Sequence, residues 1–515
     1  MSSYNWEETM KNEARMKDAD FEALLEECVP ELPPADVVKE VTPWKTAMNR
    51  ILWGMGFTTI TFNFWKLDYI LPFIGMFLML FGFRVLREEN KWFKSCWHLM
   101  IIRITIFSVI CILDATIIRS MLDASNVGIA ITAMNFVLIF TQIICFWKAI
   151  RKTQEKAGLP QRAKAAIVLL IWYGIMIILG VAQYAGLLVF VMLIGYVSII
   201  RSLYKLSKEL AEAGFVIQTA PIKVAEWKVV AGVLTIVIAG ISCGYLFFHS
   251  YPMDWQPIVV SEDAKVNEIK EHLIEIGFPK NVLADLTEED ILTCEGALRV
   301  VTDVCDHPVN DGNIVQEETA MGIYSEYISY NRKELRFTHI AIELPGEIEC
   351  WKVIHHFEFI FHPGFYGTES IQLWSTYSNY TNAWSAEGAV TGRVLYDMDG
   401  QTFVAPYASL KEETYEAYNI IFTSTSRSTD VFAEFSMPNE GSRQRGYVSY
   451  VTKEQMDGCI LASWINYTHQ KNWLQYPVLT AKEKRMQNDW IHREPFKTIQ
   501  DSISFYPFRE NITVH

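Results

Sequence analysis

Long uncharged apolar runs fill the first half of this chain, and a period of two takes over in the second. Windows at 51–65, 69–83, 98–118, 128–147, 165–182, 186–200 and 229–248 hold almost no charge. Most are long enough to cross ~30 Å of hydrocarbon at a helical rise of ~1.5 Å per residue. The pattern predicts a membrane all-α bundle of seven transmembrane helices. The number is six if the first window, interrupted by Gly54 and Gly56, is re-entrant or interfacial. Lys66-Leu67-Asp68 supplies a polar turn and Pro72 lies near the next start, so the first two windows read as a helical hairpin.

Between 335 and 470 the alternation is that of strands. Trp351, Val353, Phe357, Phe359 and Phe361 fall on one face, and Lys352, His356, Glu358 and His362 fall on the other with Ile354 and Ile360. Met398-Asp399-Gly400 between 394–397 and 402–405 is a hairpin turn signal. Further strands are expected at 337–343, 371–376, 431–435, 447–451 and 460–467. Many short strands with turn residues between them predict a domain that is mainly a β-sandwich. Ahead of it, Val266, Ile269, Leu273 and Ile276 recur at helical spacing up to Gly277-Phe278-Pro279. Thr287 followed by Glu288, Glu289 and Asp290 opens a second helix, expected to run through Cys305. A helix over 6–28 stopped by Pro30, and a short basic helix over 481–487, complete the reading. The expected organisation is an acidic cytoplasmic segment (1–50), a transmembrane bundle (51–248), a membrane-proximal helical module (249–310) and an extracytoplasmic β-rich domain (311–515).

Charge sets the orientation. The connections 84–97, 148–164 and 201–228 contain fifteen lysines and arginines, whereas the alternate connections contain only Lys66 and Arg119. Basic loops stay in the cytoplasm. Seven spans then place the N-terminus inside and everything beyond Phe248 outside. Residues 1–14 are polar and acidic, which predicts no cleavable signal peptide. A chain 50% apolar with 20% charged residues and a positive mean hydropathy fits a bilayer partner. A net charge of −14 excludes nucleic acid as an expected partner.

Candidate chemistry is sparse. No Cys-x-x-Cys, nucleophile elbow, His-Glu-x-x-His helix, phosphate loop or dinucleotide fingerprint occurs. Cys111, Cys145 and Cys243 sit in apolar spans as small hydrophobes. Cys294 and Cys305, placed on one helix ~16 Å apart, cannot bridge each other. A bond from either to Cys350 or Cys459 stays open beside the reading as reduced buried thiols. His356, Glu358 and His362 share a strand face, but six residues of strand span ~20 Å, so a solvated or hydrogen-bonded face is expected rather than a metal site. Asp397-Met398-Asp399-Gly400 starts like a calcium loop and lacks the later carboxylates until Glu412. Trp374, Tyr377, Tyr380, Trp384, Trp464, Tyr467, Trp473 and Tyr476 could form a stacking platform or fill the sandwich core. Arg103 and Asp114, eleven residues apart in one span, share a helix face, with Asn135 and Gln142 as hydrogen-bond partners in the next. Sequons stand at Asn379, Asn466 and Asn511. No residue is assigned a catalytic, cofactor-binding or metal-binding role, and no cofactor is expected.

Pro43-Trp44, Asn63-Phe64-Trp65, Tyr69-Ile70-Leu71-Pro72-Phe73-Ile74-Gly75, Leu80-Phe81-Gly82-Phe83-Arg84 and Arg87-Glu88-Glu89-Asn90 form a connected set. Together they resemble a group of uncharacterised multi-span membrane proteins of Firmicutes that share an Ile-Leu-Pro-x-x-Ile-Gly signature in an early hairpin. Ile276-Gly277-Phe278-Pro279 and Leu286-Thr287-Glu288-Glu289-Asp290 also look like an element of that group. The resemblance implies a bacterial cytoplasmic membrane and carries no established activity. The layout leads to a non-enzymatic envelope protein whose outer domain binds a ligand or partner. The bundle would connect that domain to a cytoplasmic partner at the N-terminal segment. A transporter or its accessory subunit, and a membrane-bound envelope enzyme, are the alternatives.

Overall fold

The computed structural model describes residues 43–509 and 514, except 63, 124, 183–185, 214–216, 260–261, 319–323, 374–382, 420–423 and 488–494. The helix expected over 6–28 lies outside the described residues. The chain divides into two compact units: Met1–Cys111 with Val127–Val237, and Ile112–Asn126 with Ile238–His515.

Among the described residues, the helices of the first half are α1 (Pro43–Thr59), α2 (Leu67–Leu86), α3 (Lys91–Leu113), α4 (Ile118–Asp123), α5 (Asn126–Lys156), α6 (Lys164–Val181), α7 (Leu187–Glu212) and α8 (Glu226–Phe247). Six of them, α2, α3 and α5 to α8, are long and apolar enough to cross a membrane. α1, with 17 residues, is shorter than any of these. It pairs with α2 through glycines. A Cβ built on Gly54 would lie 2.5 Å from the Gly75 carbonyl oxygen, one on Gly75 2.6 Å from that of Gly54, and one on Gly82 2.7 Å from that of Ala47. Gly54 is therefore a contact surface that lets two backbones meet, in the manner of small residues between membrane helices. Gly56 faces open space.

The bundle's core joins Trp44, Ile51, Phe83, Phe93, Phe146 and Tyr196. Its outer faces are also apolar: Ile178, Phe190, Ile194 and Ile236 are all exposed, and only 11% of the most apolar stretch of α8 is buried. The basic residues expected in loops extend helices instead. Lys148 to Lys156 continue α5, which at 31 residues spans ~46 Å, and Arg201 to Lys208 continue α7. At this end a polar collar forms. Asn90 caps α3 by accepting from the backbone N–H groups of Trp92 and Phe93 at 3.1 Å. Buried Glu89 accepts from Lys156 Nζ at 2.8 Å and from the Gln218 N–H at 2.9 Å. Trp92, Trp97, Trp147 and Trp227 each lie under a lysine or arginine, the closest being Lys148 at 4.4 Å from the Trp92 ring.

The other unit is built on a β-sandwich. Its strands are β1 (Gln256–Pro257), β2 (Arg299–His307), β3 (Asn313–Glu318), β4 (Tyr324–Ser329), β5 (Leu335–Leu344), β6 (Cys350–Phe359), β7 (Glu369–Leu373), β8 (Trp384–Met398), β9 (Gln401–Ala405), β10 (Ser409–Asn419), β11 (Ser424–Phe435), β12 (Ser442–Glu454), β13 (Leu461–Gln470) and β14 (Phe496–Phe505). A seven-stranded sheet runs in the order β1-β9-β8-β12-β6-β5-β2 and a five-stranded sheet in the order β10-β11-β7-β13-β14, with β3-β4 a separate ribbon. The pairings are antiparallel. Every strand expected from periodicity is present, 374–376 lying outside the described residues.

Trp351, Val353, Phe357 and Phe359 of β6 form the inter-sheet core with Leu373, Phe435, Tyr467 and Phe505, as the alternation predicts. Phe361 lies past the strand and is exposed. The opposite face takes the hydrogen-bonded of the two expected states. It is covered by α9 (Ala264–Glu275), α10 (Lys280–Leu283) and α11 (Glu288–Leu292), whose Val266, Leu273, Val282 and Ile291 pack on Ile340, Ile342, Ile354 and Tyr447. Lys352 and His356 are thus buried and hydrogen-bonded.

Thr287 caps α11 by accepting from the Asp290 N–H at 3.1 Å. The helix stops at Leu292, and Cys305 stands on β2 rather than sharing a helix with Cys294. All eight described cysteines are free thiols. The Asp399-Gly400 turn has positive φ at both residues, 54° and 78°, closing β8 onto β9 with Met398 opposite Gln401.

Candidate functional site

The covered face of the seven-stranded sheet carries two buried ion clusters. Asp285, between α10 and α11, accepts from Arg445 Nε at 2.9 Å and lies 3.0 Å from His356 Nε2. Arg445 also donates to Asp397 Oδ1 at 3.0 Å, and Arg443 reaches Glu358 at 2.8 Å. Asp290 accepts from Lys352 Nζ at 2.8 Å, Thr391 Oγ1 at 2.7 Å and the Tyr447 hydroxyl at 2.6 Å. Burial alone would raise both carboxyls. The side chains of His356 and Arg445 around Asp285, and of Lys352, Thr391 and Tyr447 around Asp290, outweigh it and hold both below the ordinary range. These residues clamp helices to sheet. His356 and Glu358 are in separate contacts, and His362 lies beyond the strand accepting from the Gly364 N–H at 2.9 Å. The three do not converge. Asp397, taken up by Arg445 and by Thr402 at 2.8 Å, belongs to the clamp and the hairpin turn.

A different constellation forms between the sheets at their β2 and β14 edges. Cys305 and His307 alternate on one face of β2, and the register sets Asp303 opposite His339 of β5, so all four share the inter-sheet side. Asp501 of β14 meets them from the facing sheet. His307 Nε2 lies 2.7 Å and His339 Nε2 3.3 Å from the same oxygen, Asp501 Oδ2. One ligand atom each from Cys305, His307 and Asp501 falls within 4.8 Å of the others.

Behind them a relay runs inward. His339 Nδ1 and His355 Nδ1 are 2.7 Å apart, His355 Nε2 is 2.6 Å from Ser463 Oγ, and Ser463 is 2.6 Å from the Tyr450 hydroxyl. Burial, with His339 adjacent, pushes His355 well below the usual imidazole range and keeps it neutral. At Asp501 burial is outweighed by the two imidazoles, which hold its carboxyl far below the usual range. Burial, then the nearby Asp501 and Asp303, raises the Cys305 thiol. The helix expected to run through Cys305 hides this group in the sequence, although Cys305-x-His307 on an alternating stretch signals it.

The remaining candidates disperse. Asp114 lies just past the end of α3, 3.3 Å from Arg119 Nε, and Arg103 belongs to the other compact unit. Gln142 is buried, and neither polar atom of its side chain finds a hydrogen-bond partner among the described residues. Trp384 and Tyr467 are core residues, while Trp473 is exposed and edges the Tyr245 ring at 6.0 Å. Trp374, Tyr377 and Tyr380 lie outside the described residues, as do Asn379 and Asn511. Asn466 is buried and donates to Gln372 at 2.9 Å, which closes it to glycosylation. A shallow open groove of about 450 Å³ beside Arg299, Glu343 and Phe508 presents an ion pair and no nucleophile.

No protein-family model and no curated protein matches the chain. Among solved structures, one described as a pore forming protein is similar over 40% of this chain and 99% of its own, at 8% identity and a TM-score of 0.18. A carbohydrate-binding module studied for specific mannan recognition is similar over 31% of this chain and 90% of its own, at 7% identity and a TM-score of 0.13. At these scores neither likeness carries an argument about fold or function.

Proposed function

We propose that this chain is a multi-pass membrane protein of the cell envelope. Its N-terminal segment lies in the cytoplasm, and its β-sandwich outside binds a ligand or partner whose occupancy is relayed through the helices. The fifteen basic residues at alternate helix ends, and the tryptophans beneath them, support this orientation.

The observation that carries the relay is the composition of the sandwich's own unit. Ile112–Asn126 and the last half of α8 are part of it. The Val478 N–H donates to the Asp114 carbonyl at 2.7 Å, the Tyr245 hydroxyl donates to the Gln475 carbonyl, and Ile117, Tyr251 and Val478 form one apolar cluster. The Tyr251 hydroxyl reaches Glu434 of β11 at 2.5 Å. A displacement of the five-stranded sheet thus acts directly on the ends of two apolar helices.

The cytoplasmic partner is tested by affinity purification of the full chain beside a chain lacking residues 1–42. A cytoplasmic protein retained only by the full chain is expected. Recovery of none from the full chain contradicts the relay.

A further inference from the structure

We propose that Cys305, His307, His339 and Asp501 form a binding site for zinc, or a similar divalent transition metal, at the open edge between the two sheets. The proposal goes beyond the membrane reading and does not rest on it.

The donor set is the first support. Thiolate, two imidazoles and a carboxylate together match zinc's tetrahedral preference and suit the hard cations calcium and magnesium poorly. The four groups come from three strands of two sheets, with spacing fixed by strand pairing rather than by a mobile loop. Zinc with ~2.0–2.3 Å bonds needs ligand atoms roughly 3.3–3.8 Å apart. Cys305, His307 and Asp501 already bring ligand atoms within 4.8 Å of one another, and His339 adjoins the group through Asp501, 3.3 Å away, so it completes the set by a small inward shift.

The second support is independent. His339 is fully buried, and its Nε2 lies 3.3 Å from Asp501 Oδ2 out of hydrogen-bond alignment, with no hydrogen-bonded partner among the described residues. With a metal bound, Nε2 would release the proton it otherwise turns toward Asp501, and the relay behind then takes one consistent protonation pattern. His339 Nδ1–H donates to His355 Nδ1, and His355 Nε2–H donates to Ser463 Oγ. Metal-bound histidines are oriented in this way by a partner on the other ring nitrogen. Cys305 and His307 are half-buried on an edge strand, which leaves an entry path.

The test is cobalt titration of the tag-free, reduced full chain in detergent, followed by zinc competition and metal analysis. An equimolar cobalt complex with a thiolate-to-metal charge-transfer band, displaced by zinc, is expected. Cys305→Ser should abolish the band, His307→Ala should weaken binding at least tenfold, and Cys459→Ser should leave both unchanged. His355→Gln, which removes only the orienting partner, should weaken binding ~10–100-fold. Absence of the band in the folded parent chain overturns the site. A band that persists in Cys305→Ser overturns it too.

Discussion

Asp285 and Asp290 show how single residues fasten helices to the sheet. Each is a buried carboxylate below its ordinary pKa of 3.8 despite a burial effect that acts the other way. Both therefore bind protons more weakly in the folded chain than in the unfolded one. Their contribution to stability is fully present above about pH 4 and is lost as pH falls through the folded-state values. Removing one partner of such a cluster leaves a buried charge uncompensated, at ~3–5 kcal/mol. The Asp285→Asn chain should thus lose about 3 kcal/mol near neutral pH, and less of its remaining stability than the parent on acidification from about pH 5 to pH 3. Thermal unfolding in detergent, followed by tryptophan fluorescence, checks this. Parallel losses for parent and variant would contradict it. At this scale the sequence leaves two states open, since alternation reveals that Lys352 and His356 share a face but not whether water or an ion pair meets them.

Among elements, α1 and α2 depend on the absence of side chains at the crossing. Gly54→Leu or Gly75→Leu should abolish accumulation of folded protein in membranes, because either would drive a side chain into the opposing backbone. Gly56→Ala, facing open space, should be neutral or stabilise by up to ~1 kcal/mol. Equal accumulation of Gly54→Leu and Gly56→Ala would refute the packing. The apolar helices were legible because a membrane-length run without charge has few other uses. β6 was legible because its core face is continuously apolar. β2 was not, since its inter-sheet face carries Asp303, Cys305 and His307, so the usual contrast between core and surface is lost. β10 and most of β11 are polar along both faces. In β8, Gly388 and Gly392 take positive φ around a register shift, and the Tyr447 carbonyl would leave no room for a Cβ at Gly392. Those interruptions hid all but the last residues of that strand.

For the whole molecule, a single claim underlies the functional reading: the basic helix ends and the sandwich lie on opposite sides of one bilayer. The helices supply apolar outer faces and a basic, tryptophan-bearing end, and the last half of α8 and the 112–126 segment share a unit with the sandwich. Two exposed positions separate the possibilities, Lys152 on the basic extension of α5 and Glu268 on α9. In a background lacking other reactive cysteines, Glu268→Cys should react with a membrane-impermeant maleimide on intact cells. Lys152→Cys should react only after the membrane is opened. Labelling of Lys152→Cys on intact cells, with Glu268→Cys protected until permeabilisation, would contradict the account.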